Sequence, residues 1–564
     1  MMKNLRWQIV IIFLTGLVVG ILLLGEQKSP NFLEATPRPA QGGIYTEAVV
    51  GELQRLNPVL DRQNQPDRDI DRLIFNGLVR FDSRGIPLPD LAESWGISQD
   101  GKIYNFSLRQ DLKWHDGQSV TADDIVFTVE MLRLGNPSLP SDVQEFWKTV
   151  EVKGMGSNIQ FRLPEPFAPF LDYATFGIIP RHLLKGLSGD SFINSPFNLQ
   201  PVGTGPFQFE RLIVDNGRIS GVVLRANKDY HGQKPNLSQI VFLFYPNSIG
   251  ALTAVKENRA QGISKLTMDI LPQALAYPNL SVYSSRKPEM SVLLMNLKNP
   301  EVAFFQEVQV RKAILRSINR QWTVDNLMQG QAIQADGPIF PGTWAYYDGI
   351  KPVGFDPDIA RRDLKENGWV LAGETDTIRS KKEVFLKFKL TVPDTEKHKN
   401  LAGAIQRDLA AVGIQADLEI LPYESILNDR LNPRTYQAAL VDLNLSKSPD
   451  PDPYPFWDQV QATGGQNYSQ WDHRVASEML EQARITTNLD ERARLYRNFQ
   501  LIFEDEVPAI PLFYPVYTWG ADVTIRGIRM GPLFDTSDRF ASVQDWYLSL
   551  QPVINPNPAS TAVP

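Results

Sequence analysis

The stretch from Glu383 to Leu421 constrains the fold more than any other part of the sequence. Val384, Leu386, Phe388, Leu390 and Val392 alternate with more polar neighbours, as a strand with one buried face requires. Leu401, Ala404, Ile405, Leu409 and Val412 then recur at helical spacing, Gly413 stops the helix, and Ile414, Ala416, Leu418 and Ile420 alternate again. A strand, a helix and a second strand with short joints predict a βαβ unit. Its crossover demands a parallel pair of strands in an α/β lobe. Further helices are predicted around Val310, Ala313, Ile314, Ser317 and Ile318, and around Leu495, Phe499, Ile502 and Phe503. Thr121-Ala122-Asp123-Asp124 has the form of a capping box ahead of Ile125, Val129 and Leu132, and Tyr104, Phe106 and Leu108 share one face of an upstream strand. The expected class is α/β with mixed sheets and several lobes.

Of 564 residues, 43% are apolar, enough for a sizeable core, and the length suits about three or four domains. There is no cysteine, so no disulfide scaffold is possible. A net charge of -7 opposes nucleic acid as a partner. Lys3 and Arg6 precede an uncharged run from Trp7 to Leu24. Eighteen helical residues span about 27 Å, close to the hydrocarbon thickness of a bilayer, so the run reads as an uncleaved anchor. An ordinary cleaved signal would give the same compartment. The flanking cations stay in the cytoplasm, which places everything after Glu26 outside the inner membrane. Residues 27–43, rich in Pro, Gln and Gly, read as a tether, and residues 551–564 as a disordered tail.

Catalytic and metal motifs are scarce. The five histidines, His115, His182, His231, His398 and His473, form no HExxH motif or i, i+4 pair. Gly203-Thr204-Gly205 starts like a phosphate loop, but Pro206 removes a donor where one is needed, and a tight turn is expected instead. Asp67-Arg68-Asp69-Ile70-Asp71 lacks the glycine and terminal acid of a calcium loop and reads as a solvated helix face. Asp450-Pro451-Asp452-Pro453 suits a rigid turn and Trp114-His115-Asp116-Gly117 a structural corner. No catalytic residue, metal ligand or cofactor is expected.

The series Leu91-Ala92-Glu93-Ser94-Trp95, Phe106-x-Leu108-Arg109, Trp114-His115-Asp116-Gly117 and Thr121 to Thr128 resembles, in order and spacing, the family 5 extracellular solute-binding proteins of ABC importers. Leu56-Asn57-Pro58, Gly203 to Phe207, Asn227 to Pro235, Val310 to Ile314, Asp450-Pro451-Asp452 and Asp505 to Leu512 extend the resemblance over nearly all of residues 44–550. It implies a two-lobed periplasmic-binding-protein clamp with an additional domain on the first lobe. Lobe I would comprise 44–74, 203–285 and 510–550, the additional domain 75–202 and lobe II 286–509, with hinge crossings near Arg286 to Met290 and Glu506 to Pro511. The implied function is delivery of a peptide or peptide-like solute to an ABC permease by clamp closure, without chemistry on the cargo. The alternatives are a metal chelate, haem or oligosaccharide as cargo, or an extracytoplasmic hydrolase. The expected receptor is monomeric and held to the membrane by its N-terminal helix.

By the same resemblance the ligand wall includes Asn64 and Gln65, and the extended segment Leu443, Asn444, Leu445, Ser446 and Lys447. Main-chain atoms of Leu443 to Leu445 would bind in the manner of an added strand. Tyr454, Trp344, Tyr346 and Tyr347 are aromatic candidates. In peptide-binding relatives an aspartate three residues before the acid of the D/E-Pro pair holds the ligand's ammonium; counting back from Asp450 gives Lys447, a cation of the wrong sign. Three readings stay open: the register slips and Asp442 serves, the ligand offers Lys447 an anion, or Lys447 faces water.

Overall fold

Two large hydrophobic cores organise the chain, one built mainly from residues between Met290 and Tyr514, the other from residues between Tyr45 and Phe242 joined by Tyr517 to Trp546. The computed structural model describes residues 38–136, 139–445 and 449–551. The expected anchor (residues 1–26), the rest of the tether up to residue 37, and the tail from residue 552 lie outside them. Among the described residues no helix is long and apolar enough to cross a membrane. Arg38–Pro39 pair antiparallel with Leu550–Gln551, so ladder pairing begins inside the stretches read as tether and tail.

A twelve-stranded sheet runs through both cores. Its strands are β1 (Ile44–Val50), β2 (Phe207–Asp215), β3 (Arg218–Ala226), β4 (Gln239–Tyr245), β5 (Gly262–Ile263), β6 (Leu280–Arg286), β7 (Glu289–Met295), β8 (Ala332–Gln334), β9 (Lys387–Pro393), β10 (Gln415–Leu421), β11 (Ala438–Asn444) and β12 (Ala509–Asp522). The spatial order is β10-β9-β11-β7-β12-β5-β1-β4-β3-β2, with β6 and β8 also on β12. The helices used below are α1 (Gln65–Ile74), α2 (Ala122–Leu134), α3 (Phe170–Tyr173), α4 (Glu396–Ala410), α5 (Arg474–Ile485) and α6 (Leu489–Glu506). A separate four-stranded antiparallel sheet, Ala92–Ile97, Ile103–Leu108, Asn158–Arg162 and Glu151–Met155 in spatial order, lies between β1 and β2 in the chain.

The βαβ unit forms as its periodicity requires. β9 and β10 pair in parallel from Lys387↔Gln415 to Pro393↔Leu421, α4 crosses between them, and Gly413 adopts φ +85° just after the helix. Leu386, Phe388, Leu390 and Val392 are buried, but Val384 is not part of this strand. Val384–Phe385 turn back on Ser380–Lys381 in an exposed hairpin, because Lys382 and Glu383 take positive φ and break the alternation. At the start of α2 the Asp124 carboxylate accepts the Thr121 N–H at 2.9 Å, as the capping pattern predicts.

β12 links the halves. Ala509 to Phe513 pair with β7, and Val516 to Asp522 pair with β6, so the strand hands over from one partner to the other at Phe513–Val516. β6 and β7 are joined only by Lys287-Pro288, and the Lys287 N–H donates to Pro515 O at 2.9 Å.

Three acids of α1 correct the reading of a solvated helix face. Asp67, Asp69 and Asp71 are all buried. Asp67 accepts the Gln54 and Arg55 N–H groups, each at 2.9 Å, and Asp69 pairs with Arg539. Asp71, 3% exposed, has neither carboxylate oxygen in a hydrogen bond. The Gly203-Thr204-Gly205 stretch is a close packing contact against the end of α1, not a phosphate loop. A Cβ on Gly203 would sit 2.0 Å from Ile74 O and one on Gly205 2.2 Å from Leu73 O. His115 laces the same stretch. Its Nδ1 accepts the Gly203 N–H at 3.2 Å, leaving Nε2–H to donate to Gly205 O at 3.0 Å, and burial lowers the imidazole to about 4, so it stays neutral.

Candidate functional site

The candidate ligand strand is β11, and its two edges differ. Along one edge β7 pairs with it from Met295↔Ala438 to Glu289↔Asn444. Along the other, β9 pairs only with Ala438 and Ala439. Pro393 ends β9, and a proline has no N–H to continue a ladder. Beyond Ala439 no strand among the described residues covers that edge. The Leu445 N–H donates to Pro288 O at 2.7 Å, so the alternation of an antiparallel ladder turns Leu443 and Leu445 toward β7, and the main chain of Asp442 and Asn444 toward the opposite edge. Of the three residues expected to offer main-chain contacts, two therefore spend them inside the sheet. Ser446 and Lys447 lie outside the described residues.

Asp442 is already neutralised. Its carboxylate takes hydrogen bonds from Lys397 Nζ at 2.6 Å and from Ser291 Oγ, and lies 3.2 Å from His398 Nε2. Burial opposes the charge, but bonds from His398, Lys397 and Ser291 outweigh it and hold the carboxyl well below the usual range. A slipped register that assigned a ligand ammonium to Asp442 would have to displace the Lys397 ammonium and the Ser291 hydroxyl. Because the folded pKa is depressed, the stabilisation it reports is present above the unfolded value and lost as the pH falls. Asp442→Asn should therefore cost about 1.5–3 kcal/mol at pH 7 in urea unfolding, and much less at pH 2, well below the unfolded value. An equal cost at both pH values would show that the ionised carboxylate is not what matters.

Asn64 and Gln65 stand at the start of α1, on the other core. Asn64 Nδ2 donates to Glu52 O at 3.0 Å, and Gln65 Nε2 to Asp69 at 2.7 Å and to Asp535 at 3.2 Å. Both side chains remain partly exposed while bracing the loop that enters α1. Trp344 is buried, with the Arg492 guanidinium 5.0 Å from its ring centroid, so it serves the core. Tyr346 and Tyr347 are partly exposed and line, with Trp344, Arg494 and Arg497, a concavity of about 310 Å³. Tyr454 is half-buried beneath Arg484, 4.2 Å from its ring centroid.

The Asp450-Pro451-Asp452 turn anchors a feature that sequence reading missed. Both acids pair with arginines: Arg492 on α6 reaches both oxygens of the buried Asp450, at 2.5 and 2.8 Å, and Arg484 on α5 meets the half-buried Asp452 at 3.0 Å. The cluster faces segments of the other core. The Asp450 N–H donates to Asp172 Oδ2 on α3 at 2.9 Å, the Ala168 N–H to Arg484 O at 2.6 Å, and the Trp344 N–H to Arg84 O at 2.9 Å. Arg484 also lies over Phe167, 5.1 Å from its ring centroid. Burial, then the neighbouring Asp450 carboxylate, push the Asp172 carboxyl well above its ordinary range. Two closely spaced acids in an apolar context signal that cations must come from elsewhere, but Arg484 and Arg492 are not adjacent to them in sequence. Among the described residues no group of three or more His, Cys, Asp or Glu side chains is arranged to hold a metal ion.

Comparison with known proteins agrees with this architecture. The chain is 26% identical over 492 residues to the dipeptide-binding protein of Escherichia coli (strain K12), covering 82% of this chain and 87% of that protein. It is 26% identical over 495 residues to heme-binding protein A of Haemophilus influenzae, covering 81% and 85%. The solved structure of HbpA2 from Haemophilus parasuis superposes with a TM-score of 0.78 at 21% identity, over 90% of this chain and all of that one. Its likeness supports the two-lobed clamp with an additional domain on the first lobe. The family model described as bacterial extracellular solute-binding proteins, family 5 Middle, matches residues 87–467, more than half of the sequence. The chain belongs to the family 5 bacterial extracellular solute-binding proteins.

Proposed function

We propose that this chain is an extracytoplasmic receptor that captures a peptide or peptide-like solute between its lobes and delivers it, unaltered, to an ABC import permease. The observation that carries this reading is the edge of β11, which β9 leaves uncovered beyond Ala439. An extended backbone can add to such an edge by main-chain hydrogen bonds that ignore side-chain identity, leaving selectivity to surrounding pockets. The relatives named for dipeptides support the same cargo class. We assign lobe I to residues 44–74, 203–286 and 516–550, the additional domain to 75–202 and lobe II to 289–513, which moves the boundaries expected at 285/286 and 509/510 to the points where the strands change partner. The hinge is assigned to Lys287-Pro288 and to Phe513–Val516, where β12 changes partner. Ligand shifts the open–closed equilibrium by its differential affinity for the closed state, and no bond in the cargo is made or broken. Residues 1–26 hold the receptor to the outer face of the cytoplasmic membrane.

A second reading, a non-peptide solute such as a metal chelate, haem or oligosaccharide, is favoured by one observation. The acid on the candidate ligand strand, Asp442, is committed to Lys397 and His398, and by the resemblance Lys447 stands where peptide-binding relatives carry an aspartate. Native mass spectrometry of the full chain, purified gently in mild detergent, separates the two. Release of mixed short peptides is the expected result. One defined non-peptide mass or bound metal would replace the first reading with the second, and conversion of an added peptide during incubation would overturn both.

A further inference from the structure

We propose that the additional domain carries a latch that holds the clamp shut, with Asp172 as its positioning residue. The inference rests on the two-lobed clamp reading above.

The contact joins two separately cored bodies. Phe170 of α3 is buried in the core that holds Tyr45 and Trp546, whereas Tyr496, beside Arg492, is buried in the core that holds β7 and β11. Apart from Ile86, which packs on the core of β7 and β11, what passes between them is polar: the Asp450 amide on the Asp172 carboxylate, the Ala168 amide on Arg484 O, the Trp344 amide on Arg84 O, and Arg484 over Phe167. Gly85 completes the approach. It takes φ +78°, and a Cβ there would come within 2.6 Å of Pro449 O, so the hairpin loop of the additional domain lies directly against the chain entering the Asp450 turn. Polar contacts of this kind are exchangeable for water, whereas an apolar seam would weld the bodies together. The latch meets lobe II at Asp450, a few residues beyond the candidate ligand strand, so closure and the position of that strand are mechanically coupled.

Opening the latch changes the setting of Asp172. In the shut state Asp450 and Asp452 on the turn, Arg492 on α6 and its own neighbour Tyr173 act on its carboxyl, while Tyr496 on α6, Arg484 on α5 and Tyr104 on the strand Ile103–Leu108 surround Arg492 and the same turn acids. Burial and the Asp450 charge favour the protonated form there, and Arg492 opposes them. Exposed to water, the carboxyl returns to its ordinary range. The shut state therefore binds more protons, and shutting should be favoured as the pH falls.

Hydrogen exchange of the full chain, read by mass spectrometry at pH 6 and pH 8.5 after correction for the intrinsic exchange rate, tests this. In the wild type the Ala168 and Asp450 amides should open with a much smaller urea dependence than β7, and more often at pH 8.5. Asp172→Ala should raise their exchange roughly tenfold, as expected for loss of one buried hydrogen bond. Asp172→Asn, which keeps an acceptor oxygen, should restore protection and remove the pH dependence. Exchange of both amides only through global unfolding, or unchanged exchange in Asp172→Ala, would overturn the latch. Should Asp172→Ala fail to fold, a pH dependence in Asp172→Asn equal to that of the wild type would overturn it instead. Failure of the clamp reading has a different signature: small-angle scattering of the wild type unchanged by a broad screen of short peptides and chelates.

Discussion

Replacing Arg539 by alanine should lower the unfolding free energy by about 3–5 kcal/mol, the cost of leaving buried carboxylates without their cation. Arg539 is 0% exposed; its guanidinium lies 2.6 Å from Glu47 on β1 and grips both Asp69 oxygens on α1, at 2.8 and 2.7 Å. These groups come from three distant parts of the chain, so one guanidinium fixes the strand, the helix and the C-terminal segment of the same lobe. Arg539→Lys keeps the charge but loses the fork that holds Asp69 at two points, and should recover only part of the loss. The triple change Arg539→Met, Glu47→Gln, Asp69→Asn removes every buried charge of the set and should be far less costly than R539A alone. Urea midpoints compare the three. A loss below about 1 kcal/mol in R539A would mean that water reaches the carboxylates and the burial argument fails.

The second large effect concerns Asp61 and Asp71. Burial pushes the Asp61 carboxyl from its ordinary 3.8 up to about 7, against the pull of Arg68 and Arg62. Asp71 is also pushed well up, by burial and then by the charges of Asp61 and Asp67. A carboxyl raised on folding binds a proton more tightly in the native state. The native state is thus favoured at low pH, and its stability falls as the pH rises from about 4 through 7. The rise of Asp61 to about 7 corresponds to about 4 kcal/mol at most, a sum shared between the two interacting carboxyls. Asp71→Asn should be more stable than the wild type at pH 8, with the difference vanishing near pH 4. A difference constant across that range would show that no proton is gained on folding.

Local periodicity made the βαβ unit legible, because Leu386 to Val392 and Leu401 to Leu409 each carry their own pattern of burial and Ile414 and Ala416 start the second strand buried, although Ile420, expected on the same face, is exposed. The acids of α1 resisted the same approach. Asp67-Arg68-Asp69-Ile70-Asp71 has the composition of a wet helix face, and its burial depends on Gln54, Arg55 and Arg539 arriving from elsewhere. The job of the Gly203-Thr204-Gly205 stretch stayed hidden for a related reason: its glycines answer a close approach by α1, which no local spacing announces. An extended segment ahead of Asp450 was legible through motif order, but the direction of its main chain depends on β7 and Pro288, and Asp172, Arg484 and Arg492 converge only once both cores are built. Lys397 and His398, the partners of Asp442, follow the same rule, since α4 brings them to the end of β11.

β12 is a shared inner strand, flanked by β7 in one half and by β5 and β6 in the other. It is made late, after every other strand of the twelve. A polypeptide released from the ribosome before residue 509 would thus lack an inner rung in both halves at once, and neither half could finish on its own. Truncated products should be left as open-edged, protease-sensitive chains rather than as a half receptor able to sequester cargo.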